Sequence, residues 1–77
     1  MRARSQNGRV YINVTNILRI QEPTKKRKTW NVVCDEGDYS YLMGEYSTEE
    51  KALKALKLFE IHSIRETTVF GFPQDND

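Results

Sequence analysis

One segment of the chain has the pattern of a long helix, and only short patterned segments precede it. Ser47 stands three positions before Glu50, the spacing of a capping box, in which the Ser47 hydroxyl accepts a hydrogen bond from the amide of Glu50. From Ser47 to about Ile64 good helix formers predominate, and neither Gly nor Pro interrupts them. The sequence therefore predicts a single helix close to the C-terminal end.

Five short segments before the helix have the alternation of strands. We expect strands at residues 2–6, 9–14, 17–20, 29–35 and 39–46. Asn7-Gly8, a strong signal for a two-residue hairpin turn, joins the first two, and Thr15-Asn16 separates the second from the third. Because every connection is short, neighbouring strands can pair only antiparallel. The prediction is an α+β fold, an antiparallel meander of about five strands with one C-terminal helix packed on one face and a short terminal strand at 67–72.

The length and the cysteine content limit how such a fold is stabilised. Residues 1–77 are enough for a single domain, which buries only about 60 % of its unfolded surface. Cys34 is the only Cys and His62 the only His, which excludes a disulfide within the chain and a structural zinc site. No apolar run could span a membrane and none follows Met1 as a signal peptide, so we expect a cytoplasmic protein without a membrane partner. Oligomerisation is one way to complete so thin a core.

The charges are strongly segregated along the chain. Residues 1–31 contain eight basic residues and one acid, whereas residues 32–50 contain six acids and no base. One interpretation is that opposite charges pair across neighbouring strands. The other is that the basic residues bind nucleic acid or another anion, with Trp30 as an aromatic platform. The candidates for that contact are Arg9, Arg19, Lys25, Lys26, Arg27 and Lys28.

The predicted helix has more apolar surface than one sheet-facing stripe requires. The stripe expected to face the sheet consists of Ala52, Leu53, Leu56 and Phe59, with Ala55 at its edge. Two further apolar residues lie elsewhere on the helix beside two lysines, a set made of Leu58, Ile61, Lys51 and Lys54. Either the terminal strand at 67–72 folds back over this set, or the set binds a partner protein or a second copy of the chain.

The sequence offers little for catalysis or for metal binding. His62 lies late on the predicted helix, a position that favours a surface or capping role over that of a general base. Cys34 is in phase with Trp30 and Val32, which is typical of a small buried residue. The acids around Gly37 lack the spacing of a calcium loop. We therefore expect no enzymatic activity, no catalytic residue, no metal site and no cofactor.

Three blocks of the sequence resemble a known family. They are RSQ at 4–6 with YINV at 11–14, LMGEYSTEEKAL at 42–53, and VF at 69–70 followed by PQ at 73–74. Together they resemble a family of small uncharacterised proteins of Gram-positive bacteria and their phages. The chain departs from the family pattern at Lys25–Lys28, where the family has a short connection. The resemblance implies a small cytoplasmic accessory protein, encoded by a phage or mobile element, that binds a host component; it implies no activity and no site residues.

These observations favour one function and leave two others open. The leading hypothesis is a non-enzymatic interaction or regulatory protein that binds, and through binding inhibits, a host protein, and that also associates with itself. Its predicted contact residues are Leu58, Ile61, Lys51 and Lys54. The first alternative is a nucleic-acid-binding protein that uses the basic N-terminal strands and the turn at 25–28. The second is an oligomer that sequesters a small anionic ligand between its basic strands.

Overall fold

The computed structural model describes residues 2–14, 18–65 and 69–75, and within them the chain has six strands and one helix. The elements are β1 (Arg2–Arg4), β2 (Tyr11–Asn13), β3 (Leu18–Gln21), β4 (Trp30–Glu36), β5 (Tyr39–Tyr46), α1 (Glu49–Arg65) and β6 (Phe70–Gly71). The predicted α+β fold, with one helix and a short terminal strand, is confirmed. The predicted break at Thr15-Asn16 lies outside the described residues, as do positions 67 and 68 of the predicted terminal strand.

The described strands form two three-stranded sheets, where the sequence predicted one continuous meander. β3, β4 and β5 form a meander in that order, and both pairs are antiparallel. The other sheet has the order β2-β1-β6, in which β1 is antiparallel to β2 and parallel to β6, with Ala3 opposite Phe70. β1 and β6 can pair parallel because the long stretch of chain between them, which includes α1, allows the crossover that a short turn does not.

The core lies where α1 packs on the strands. Val32 and Cys34 of β4 and Met43 of β5 are completely buried, and so are Ala52 and Ala55 of α1. All of them belong to one apolar cluster. Because alanine side chains are short, these two positions let the helix lie close to the sheet.

Three phenylalanine rings complete the core on the side of the second sheet. The ring of Phe59 on α1 lies 5.6 Å from that of Phe70 and 5.9 Å from that of Phe72, measured between centroids. Phe70 and Phe72 meet edge to face at 5.0 Å. Such arrangements are favourable for aromatic pairs. The short terminal strand and the residue that follows it therefore each contribute one of the larger side chains in the core.

The helix cap differs by one residue from the predicted capping box. The hydroxyl of Thr48, and not that of Ser47, accepts a hydrogen bond from the amide of Lys51 at 3.2 Å. α1 accordingly begins at Glu49. Glu49 and Glu50 still occupy the first turn, where carboxylates interact favourably with the helix dipole.

The helix turns the predicted face to the core, with one exception. Ala52, Ala55 and Phe59 are buried and Leu56 packs against the core, but Leu53, predicted in the same stripe, is 50 % exposed. At 100° per residue Leu53 lies about 160° around the helix from Ala55. Packing against Phe70 and Phe72 buries the side of the helix that carries Phe59 and leaves Leu53 outside it. Within the described residues, no helix is long and apolar enough to cross a membrane.

The first hairpin is centred on Asn7-Gly8, as predicted, because Arg4 pairs with Tyr11 and Ala3 with Ile12, but its loop is longer than two residues. The amide of Gly8 donates to the carbonyl of Ser5 at 2.9 Å, so the turn spans residues 5–8, and Gly8 has the left-handed φ of 76°. The side chain of Asn7 accepts hydrogen bonds from the Ser5 hydroxyl and from the amide of Arg9. Gln6, predicted inside the first strand, leaves β1, and its amide donates to the carbonyl of Met43 at 2.6 Å.

Candidate partner-binding pocket

Gln6 joins three segments that are far apart in the sequence. Its side-chain NH2 donates to the carbonyls of Glu45 and Pro73 at 3.0 and 3.1 Å. Its side-chain oxygen accepts a hydrogen bond from the amide of Glu45 at 2.9 Å. The side chain of Gln74 returns a bond of 2.8 Å to the carbonyl of Gln6. Gln6 therefore holds the C-terminal segment against the end of β5.

Tyr46 and Asp75 fix the same segment to the start of the helix. The buried Tyr46 donates its hydroxyl proton to the carbonyl of Pro73 at 2.9 Å. Burial raises the pKa of Tyr46 above its ordinary range, and the charge of Asp75 adds to this shift. The amide of Ser47 donates to Asp75 at 2.7 Å, a bond that lowers the pKa of Asp75, and Lys51 lies 3.8 Å from its other oxygen. These bonds hold residues 73–75 in place.

Gly44 makes room for the ring of Tyr46. A Cβ atom at position 44 would lie 2.6 Å from a ring carbon of Tyr46 and 2.7 Å from its hydroxyl oxygen. Any larger residue would therefore displace the ring that carries the hydrogen bond to Pro73. The Gly-Glu-Tyr sequence that ends β5 thus positions the C-terminal segment.

A pocket of about 150 Å³ lies between α1 and this C-terminal segment, and we call it the helix–tail pocket. The helix contributes four of its lining residues: Lys51, Lys54, Ala55 and Leu58. The end of β5 and the C-terminal segment contribute the other four: Tyr46, Pro73, Gln74 and Asp75. The pocket is therefore apolar inside, with basic side chains on the helix side.

The structure brings together three of the four residues predicted to bind a partner. Lys51, Lys54 and Leu58 line the helix–tail pocket. Leu58 is half-buried and packs against the core, while residues 73–75 line the pocket beside it in place of the predicted strand at 67–72. Ile61 is not among the lining residues and is 40 % exposed.

Two of the six predicted anion-binding residues have partners within the chain. The guanidinium of Arg19 contacts both carboxylate oxygens of Asp35, at 2.7 and 3.4 Å. This hydrogen bond raises the pKa of Arg19 and lowers that of Asp35, to which the Ser40 hydroxyl also donates. Arg27 donates to the carbonyl of Glu22 at 2.6 Å. Arg19 therefore supports the interpretation that opposite charges pair across strands.

The other four predicted anion-binding residues are exposed but are not gathered into one site. Lys25, Lys26 and Lys28 surround Arg27 in the connection between β3 and β4. Arg9 lies in the connection between β1 and β2, which belongs to the other sheet. The basic turn is thus an exposed lysine cluster of three residues.

The cysteine and the histidine of this chain both pack against other parts of the fold. Cys34 is completely buried, as predicted, and burial raises the pKa of its thiol, with Glu36 and Asp35 adding to the shift. His62 places Nδ1 3.0 Å from the carbonyl of Leu58 and its ring 5.0 Å from that of Phe70. In the part of the chain that the structure describes, no three His, Cys, Asp or Glu side chains are grouped as metal ligands.

Comparison with protein-family models, with curated proteins and with solved structures finds no match. Sequence reasoning missed Pro73, Gln74 and Asp75, which line one side of the pocket, and Gln6, which holds that side in place. The only signal that could have found them is that Gln6, Pro73 and Gln74 belong to the blocks that carry the family resemblance.

Proposed function

We propose that this chain is a non-enzymatic protein-binding module and that the helix–tail pocket is its contact site. The supporting observation is that Lys51, Lys54 and Leu58, three residues proposed as contacts from the helix pattern alone, line one pocket. The opposite wall is held in place by Gln6 and Tyr46. A contact site with fixed walls binds without the cost of ordering them, which favours affinity.

The family resemblance extends this proposal. On that basis the chain is a small cytoplasmic accessory protein of a phage or mobile element, and its partner is a protein of the host. Binding at the helix–tail pocket would regulate that partner by covering part of its surface.

Capture of proteins from a lysate of a Gram-positive bacterium tests the proposal. The bait is the tagged chain, compared with Lys54→Glu and with a control, Lys57→Glu, whose exposed lysine is on the same helix and does not line the pocket. We expect Lys54→Glu to lose the captured protein and Lys57→Glu to keep it. Equal capture by both variants, or no specific capture by the wild-type chain, would contradict the proposal.

A second candidate function, nucleic-acid binding, is supported by the lysine cluster at 25–28. Arg27 donates a hydrogen bond to the carbonyl of Glu22 within this loop. The three lysines around it are exposed: Lys25, Lys26 and Lys28. Three phosphate contacts would give a slope of about −3 for the logarithm of the binding constant against that of the salt concentration. Gel shifts with duplex DNA test this, and absence of binding at low salt rejects it.

A further inference from the structure

An aromatic side chain is exposed at the turn between β4 and β5. Tyr39 is 73 % exposed, more than any other large hydrophobic residue in the described part of the chain. The exposed Asp38 precedes it, and Glu36 ends β4 on the other side of Gly37, whose φ is 60°. The tip of this hairpin therefore presents one ring beside two carboxylates.

The helix–tail pocket has the complementary chemistry. Ala55, Leu58 and Pro73 provide apolar surface. Asp75 lies 3.8 Å from Lys51 and offsets its charge, so Lys54 provides the net positive charge of the lining. Its volume is about 150 Å³. A cavity of roughly that size accepts a benzene ring, whereas sites for cofactors and drug-sized ligands measure about 300–1,000 Å³. The pocket therefore suits one aromatic or aliphatic side chain.

The fold keeps Tyr39 away from the pocket of its own chain. Tyr39 begins β5, and Tyr46, which lines the pocket, ends it. Seven steps of about 3.3 Å along a strand separate the two residues by roughly 23 Å. A Tyr39 side chain in the pocket must therefore come from another molecule.

We propose that the helix–tail pocket binds Tyr39 of a second copy of this chain, with the carboxylates of Asp38 and Glu36 of that copy facing Lys54. This names a partner for the proposed function and rests on it. The chain already holds one carboxylate at this rim, because Asp75 lies 3.8 Å from Lys51. Each copy has both a hairpin tip and a pocket, so the contact is either reciprocal in a two-fold dimer or repeated along an open chain.

Sedimentation equilibrium with charge-reversal variants tests the proposal. The wild-type mass should rise above 9.0 kDa with concentration. Asp38→Lys and Lys54→Glu should each raise the dissociation constant by about five-fold or more, because each replaces an attractive exposed pair by a repulsive one. The two substitutions combined in one chain should restore association. Lys57→Glu is the matched control and should leave it unchanged.

Two results would overturn the second-copy proposal. One is a wild-type mass that stays at 9.0 kDa at protein concentrations up to about 1 mM. At that concentration even a weak complex, with a dissociation constant near 1 mM, would be partly formed. The other is a double variant that associates no better than the single variants. If either occurs while Lys54→Glu still loses a captured cellular protein and Lys57→Glu keeps it, the protein-binding function stands and only this occupant is rejected.

Discussion

Gly44→Ala perturbs the contact that fixes the wall of the helix–tail pocket. The new Cβ would lie 2.6 Å from the Tyr46 ring, closer than carbon atoms approach without a shift. The ring cannot move freely, because Tyr46 is buried and its hydroxyl donates to the carbonyl of Pro73. We therefore expect the substitution to destabilise the fold and to loosen residues 73–75.

The magnitude follows from three contributions. Overpacking a buried site costs about 1–3 kcal/mol. Weakening the hydrogen bond from Tyr46 to Pro73 adds about 1 kcal/mol. Replacing a strand glycine by alanine returns about 0.5–1 kcal/mol, since alanine loses less backbone entropy on folding. The net loss is about 1–3 kcal/mol, a large share of the roughly 4–12 kcal/mol expected for a chain of this length.

A double-mutant cycle with Tyr46→Leu isolates the steric contribution. Urea unfolding followed by circular dichroism gives the free energy of unfolding of the four chains. In the Tyr46→Leu background the aromatic ring is absent, so Gly44→Ala should no longer cost stability and should instead return about 0.5–1 kcal/mol. An equal cost of Gly44→Ala in both backgrounds would show that the Tyr46 ring is not the reason for glycine at position 44.

Three further predictions concern the hydrogen bonds of the fold. Gln6→Ala removes the side-chain bonds to residues 45 and 73 and should lower the free energy of unfolding by about 1–3 kcal/mol, with faster amide exchange at Ser47, whose amide donates to Asp75. Because the pKa of Tyr46 is raised, the folded chain keeps the proton of the Tyr46 hydroxyl at a pH where the unfolded chain, near pH 10, releases it. The free energy of unfolding should therefore fall above about pH 10, and it should fall less steeply in Tyr46→Phe. Arg19→Ala breaks an exposed ion pair and should change the free energy of unfolding by less than about 1 kcal/mol; a larger loss in urea titration would contradict its exposed character.

The elements that the sequence predicts well are those specified by neighbouring residues. The helix starts two residues after Ser47 because the hydroxyl and carboxylate residues of a cap act within one turn. β4 and β5 match their predicted ranges closely, since alternation and the Gly37 turn are local signals too. The capping residue could not be identified from the sequence because Ser47 and Thr48 are both good caps; in the structure it is Thr48 that accepts the bond from the amide of Lys51.

The sequence did not predict that β6 pairs with β1, nor that residues 73–75 form a wall of the pocket. In both cases the contacting residues are distant in the sequence. Gln6 contacts Pro73 and Gln74 across more than sixty residues, and no periodicity encodes such a contact. The margins of the buried face of α1 were missed for a related reason. Apolar residues extend past this face on both sides, at Leu53 and at Leu58, and only Leu58 meets the distant C-terminal segment.

The way the core is closed determines what kind of self-association this chain can have. A thin core without a disulfide or metal could have been completed by a second chain, but Phe70 and Phe72 complete it from within, next to Phe59. The proposed contact with a second copy would use Tyr39, which the core does not contain. At protein concentrations below its dissociation constant, such a contact adds little to the free energy of unfolding. It follows that Asp38→Lys and Lys54→Glu should change association while leaving the cooperative unfolding of each chain nearly unchanged.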